Sequence, residues 1–147
     1  MEISQKIQDL IYTKKDDELI AFLKEIQDGS SELSWEDDLY IMTPLTYACE
    51  LNRINTIKSL LENNLVNPQN EIEDTRRCVY RDPILIAATN NKLDIVKLLV
   101  DAGYPVESGI ELFERIAGDA SVEVLLKMMP KKSKAIYELL INSREKS

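Results

Sequence analysis

The sequence predicts an all-α solenoid of stacked helix pairs. Three observations predict it. One seven-residue pattern occurs as Thr43-Pro44-Leu45-Thr46-Tyr47-Ala48-Cys49 and again as Asp82-Pro83-Ile84-Leu85-Ile86-Ala87-Ala88. Each copy is followed at the same offset by an apolar segment, Ile54 to Leu61 or Leu93 to Val100, whose apolar residues recur three and four apart. Each copy also carries start and turn signals of its own, a capping residue before proline and an asparagine between the two helices.

The N-terminal segment supplies a first helix through Ile3, Ile7, Leu10 and Ile11. A second follows through Leu19, Ile20, Phe22, Leu23 and Ile26, ending near Gly29. At Thr43-Pro44 and Asp82-Pro83 a polar N-cap precedes a proline at N1, where the missing N–H costs nothing and the fixed φ already suits a helix. Small residues come next (Ala48 and Cys49; Ala87 and Ala88), so another helix can pack close. Leu85 and Ile86 are expected in the core. The turns Asn52-Arg53 and Asn91-Lys92 lead into second helices carrying Ile54, Ile57, Leu60, Leu61 and Leu93, Val96, Leu99, Val100. Asp101-Ala102-Gly103 then stops the latter with glycine at C′. Downstream, Ser108 and Glu111 have capping-box spacing and open a helix from Ile110 to Ile116. Val122, Val124, Leu125 and Leu126 continue to Met129, where Pro130 intervenes. A last helix, Ser133 to Ser143, carries Ile136, Leu139 and Leu140 on one side. Met128 and Met129 are expected beneath it, and Lys131, Lys132 and Lys134 in solvent.

These residues resemble ankyrin repeats, whose pattern combines a Thr-Pro-Leu-His start, a small-residue step, a Gly-His turn, a Val-x-x-Leu-Leu run and an Ala-Gly stop. The second copy, with Asp94-Ile95-Val96-Lys97-Leu98-Leu99 and Ala102-Gly103, matches strongly; the first matches fairly. Thr46 and Leu85 replace the start histidine, which removes a bond that ties neighbouring repeats, and Asn52 and Asn91 replace the turn glycine. Asparagine tolerates the left-handed conformation, so the turn survives. The resemblance implies one domain, with an N-terminal cap unit at about 1–39, repeats at 40–78 and 79–107, and C-terminal cap units at 108–147, the atypical ends showing a polar face to water.

Bulk properties narrow the function. With 147 residues, 44% of them apolar, the chain can bury one core. Net charge is −8 and histidine is absent. Duplex nucleic acid and anionic membranes therefore make poor partners. No run approaches the ~18 apolar residues of a membrane span. Charged Glu2, Lys6 and Asp9 argue against a signal peptide. Cys49 and Cys78 are expected to stay apart and reduced, so the expected location is the cytoplasm, or a host cell's cytosol for a viral or intracellular bacterial source. No nucleophile can be paired with histidine, and the glycines are too scattered for a phosphate loop. Glu36-Asp37-Asp38 lacks the alternating spacing of a calcium loop. No catalytic residue, metal or cofactor is expected.

Matching Leu19 to Thr56 and Thr56 to Ile95 gives steps of 37 and 39 residues, longer than the family period of about 33. The resemblance places the extra residues in hairpin fingers along a concave binding face. The first finger, Gly29 to Met42, holds Trp35, Glu36, Asp37, Asp38 and Tyr40. From Glu25 through Glu50 there are seven acidic residues and no basic one. Such a surface steers a basic partner, and tryptophan and tyrosine make good interface anchors. Trp35 has a second reading, as a plug for the N-terminal cap, and Tyr40 one as packing. The second finger, Asn67 to Asp82, has Glu71, Glu73 and Asp74 for internal charge pairs. Arg77, Tyr80 and Arg81 are its contact candidates, on a short strand where Arg77, Val79 and Arg81 alternate with Cys78 and Tyr80. Tyr47, Glu50, Thr89 and Asn90 could join the same face from the first helices. The expected function is a protein-interaction module, a free-standing inhibitor or neutralising partner of the immunity or host-targeting kind, monomeric when unbound. Self-association as an assembly protein is the alternative, and a carboxylate-only enzyme the remote one.

Overall fold

A computed structural model describes residues 3–27, 33–37, 40–66, 79–80, 82–118 and 122–146. The described elements are α1 (Ile3–Tyr12), α2 (Asp16–Ile26), β1 (Trp35–Asp37), β2 (Tyr40–Met42), α3 (Pro44–Glu50), α4 (Ile54–Glu62), β3 (Val79–Tyr80), α5 (Pro83–Thr89), α6 (Leu93–Asp101), α7 (Glu107–Ala117), α8 (Val122–Met128) and α9 (Lys131–Lys146). α1 pairs with α2 and α3 with α4, as the repeat pattern predicts, and the elements divide into two compact units, Met1–Pro83 and Ile84–Ser147.

One backbone device closes the helices. Lys14, Asn52, Asn64, Asn91 and Gly103 all have positive φ, at 61°, 57°, 55°, 58° and 94°. In each case the amide of that residue reaches the carbonyl three back, and the next amide the carbonyl five back, as in Asn52 N to Cys49 O at 3.1 Å and Arg53 N to Ala48 O at 2.9 Å. This is the Schellman closure, which satisfies the last carbonyls of a helix. Asparagine and glycine enter the left-handed region readily, whereas Lys14 does so at a cost of about 1 kcal/mol. The turn also corrects the register. Lys14, Asn52 and Asn91 stand in steps of 38 and 39 residues, so Leu19 corresponds to Ile57 and Val96, not to Thr56. All three are fully buried.

In the first unit α1 packs on α3 and α2 on α4, so like helices stack on like. Ile7, Ile11, Leu19, Leu23, Leu45, Ala48, Cys49, Ile57 and Leu60 form the core. Ala48 and Cys49 have no exposed surface, which is the close step that the small residues predict. Thr43 has extended backbone and caps α3, with Pro44 at N1. Thr46, in place of the expected histidine, completes a capping box. Its hydroxyl accepts from the Thr43 amide at 2.7 Å and donates to the Thr43 carbonyl at 3.0 Å, while its own amide donates to the Thr43 hydroxyl at 3.2 Å. The bond that the missing histidine would make is thus replaced by a local one. Thr56 is buried too, its hydroxyl donating to an Asp16 carboxylate oxygen at 2.5 Å.

In the second unit α9 packs against α6 and α7, and α7 against α8. Ile84, Ile95, Val96, Leu99, Ile110, Phe113, Ile136 and Leu140 fill its core. Ile86 is buried, whereas Leu85 is half-buried. Gly109 leaves room for the Leu140 and Ile84 methyls, which would lie 2.8 and 2.9 Å from an added Cβ. Three expectations fail here. Ser108 and Glu111 form no opening box: α7 starts at Glu107, its N-cap Val106 offers no side-chain bond, and Ser108 lies inside the first turn. The final helix runs from Lys131 to Lys146, longer than predicted at both ends. Met128 is 82% exposed and Met129 half-buried, since Met128 lies one turn beyond exposed Val124 on the outward side of α8. Lys131, Lys132 and Lys134 are exposed, as expected.

Candidate functional site

The first finger is a β-hairpin. β1 pairs antiparallel with β2 in the register Trp35 to Met42, Glu36 to Ile41 and Asp37 to Tyr40. β3 adds in parallel, Tyr40 beside Val79 and Ile41 beside Tyr80, so the predicted strand of the second finger exists at its end. Ile41 and Met42 are buried and anchor the hairpin, while Tyr40 is 42% exposed, against its packing reading.

Trp35 is half-buried, and its ring meets Tyr47 of α3 edge-to-face, with centroids 6.3 Å apart and planes at 67°. Such a pair contributes about 0.5–1.5 kcal/mol beyond area burial. Trp35 is thus neither fully inserted nor free, since part of the ring faces solvent. Glu36 and Glu50 are exposed beside this pair's own elements. Of the other predicted contact residues, Asp37 and Tyr80 are placed by their backbone alone. Asp38, Arg77, Arg81, Cys78, Glu71, Glu73 and Asp74 lie outside the described residues. Thr89, at the end of α5, is exposed, and Asn90, in the turn after it, is half-buried, both in the second unit.

Sequence reasoning missed Asp9 and Tyr12. Both lie on the exposed side of α1, Tyr12 at 63% exposure, and α1 packs on the helix that carries Tyr47. The Tyr47 phenol is held above its ordinary pKa, first by burial and then by the Asp9 and Glu50 carboxylates and by Tyr12, with Arg53 opposing. The field at this hydroxyl is therefore net negative. Only the packing of helices 38 residues apart assembles these groups, and no local motif announces it.

A titration follows from that shift. The folded chain keeps the Tyr47 proton to higher pH than the unfolded chain, whose phenol ionises near 10. The folded state then binds more protons above about pH 10, so this contribution is complete below that pH and lost as pH rises through the folded value. Thermal melts of wild type should fall more steeply above about pH 10 than those of Tyr47→Phe. Parallel pH profiles would contradict the assignment.

Among the described residues no group of three or more His, Cys, Asp or Glu side chains could hold a metal ion. No helix there is long and apolar enough to cross a membrane. A family model described as ankyrin repeats, in three copies, matches residues 10–109. The chain is 30% identical over 95 residues to the phosphate system positive regulatory protein PHO81 of Saccharomyces cerevisiae, covering 65% of this chain and 8% of that one. It is 41% identical over 66 residues to the putative ankyrin repeat protein FPV014 of fowlpox virus, covering 45% of this chain and 14% of that one. The chain thus spans a small fraction of the length of both relatives. No solved structure matches it.

Proposed function

Because the chain belongs to the ankyrin-repeat family, a family of protein–protein interaction modules, we propose that it binds a basic protein through the hairpin and first-helix surface of its N-terminal unit, and that binding blocks that partner. The observation that carries this reading is the Trp35–Tyr47 pair, half-exposed, with the Asp9 and Glu50 carboxylates acting on the Tyr47 phenol. An aromatic centre supplies contact area at low entropy cost, and an acidic surround steers a cationic partner and raises its association rate. A partner held against this hairpin and these helices would have the covered part of its own surface occluded. Arg77, Tyr80 and Arg81 of the second finger would extend the contact, and the compartment would be the cytoplasm of its own or a host cell.

Charge reversal tests it. With a partner captured by wild type from the native host, a Glu36→Lys/Glu50→Lys variant should associate at least about tenfold more slowly, with the difference shrinking at high salt. The partner's own activity should fall when wild type is added and recover with the variant. Unchanged association together with undiminished partner activity would refute the proposal. Self-association, the assembly alternative, would instead show as a mass that rises with concentration in light scattering.

A further inference from the structure

One side of the N-terminal unit repeats in chemistry as well as backbone. Lys14 and Asn52 mark the same turn 38 residues apart, so Asp9 stands where Tyr47 stands one repeat later, and Tyr12 where Glu50 stands. On each helix the two residues are three apart and share a side. α1 packs on α3, and the Asp9 and Glu50 carboxylates and the Tyr12 phenol lie within electrostatic reach of the Tyr47 phenol. The hairpin brings the Trp35 ring to 6.3 Å from Tyr47. Asp9, Tyr12 and Glu50 are exposed, while Trp35 and Tyr47 are half-buried.

Two neighbouring polar groups touch this arrangement. Gln5 donates to one Asp9 carboxylate oxygen at 3.0 Å. Arg53 is a cation of the neighbourhood, and its Nη2 donates to the Tyr12 backbone carbonyl at 3.2 Å.

We infer that Asp9, Tyr12, Trp35, Tyr47 and Glu50 form a receptor for one arginine side chain of the protein partner. This rests on the reading of the surface as the binding face and names what that face grips. Arginine fits because its guanidinium is flat and remains charged. It stacks on an aromatic ring while its N–H fork bonds a carboxylate, so both kinds of group present are used at once. A lysine ammonium satisfies the charge but lacks the plane and the fork. An apolar side chain would strip water from the carboxylates and return no bond.

Trp35 is the chain's single tryptophan, so its indole N–H gives one unambiguous nuclear-magnetic-resonance signal at the site. The probes are three capped glycine-serine peptides that differ only at the central residue, which is arginine, lysine or citrulline. The expected result with the full chain is a saturable shift of the indole signal by the arginine peptide, about tenfold weaker binding of the lysine peptide, and no shift with uncharged citrulline. Asp9→Asn/Glu50→Gln should abolish the arginine response while the circular dichroism spectrum stays that of wild type. An equal response to lysine would overturn the choice of arginine. Should no peptide act while Trp35→Ala still weakens partner binding, the receptor is refuted and the binding face stands. If Trp35→Ala leaves partner binding intact as well, both fall.

Discussion

Thr46→Val is expected to destabilise the first unit by about 1–3 kcal/mol although it preserves the side-chain shape. Thr46 has no exposed surface, and neither does Thr43. The substitution removes the acceptor 2.7 Å from the Thr43 amide and the donor 3.0 Å from its carbonyl. The Thr43 carbonyl keeps the Tyr47 amide at 3.0 Å, so the cost falls chiefly on the donor side. A buried N–H deprived of its acceptor costs far more than the bond itself contributed. Against a total stability of about 5–15 kcal/mol this is a large fraction, and urea midpoints would show it. Thr46→Ser, which keeps the hydroxyl, should recover most of the loss. Equal midpoints for wild type and Thr46→Val would mean that the capping box contributes nothing.

Trp35→Ala is expected to weaken partner binding by at least about 2 kcal/mol, roughly 30-fold in Kd. The ring offers large area with few rotors, and Tyr47 already fixes one of its edges. Little ordering entropy is therefore lost when a partner covers it. The same change removes the edge-to-face contact, at a smaller cost in stability of about 0.5–1.5 kcal/mol. Calorimetric titration against the captured partner separates the two effects, since a folded variant with a lost heat signal reports binding alone. Retained affinity would place the interface elsewhere.

The scaffold was readable because its signals are local. Pro44 and Pro83 begin helices, Asn52 and Asn91 take positive φ, and Ala48 with Cys49 vanish into the core. Period and charge likewise locate the hairpin that holds Trp35 and Tyr40. Non-local features stayed hidden. Thr46 reads as a lost histidine until the Thr43 hydroxyl is seen beside it. Asp9 and Tyr12 look like solvated positions of a polar helix face, and only the stacking of α1 on α3 gives them Tyr47 as a neighbour. Lys14 adopts the left-handed turn with no asparagine or glycine to signal it. Ser108 and Glu111 have the right spacing but the wrong place, because α7 begins before them. Apolar Met128 is assigned inward by composition, whereas its helix turns that position to solvent.

Site-specific photo-crosslinking tests the binding face most directly. A benzophenone residue is placed in turn at Tyr40, exposed on the hairpin, and at Lys97, exposed on α6. Irradiation with the partner should give a covalent adduct from position 40 and none from position 97. Adducts from position 97 alone would contradict the hairpin and first-helix surface as the site of binding.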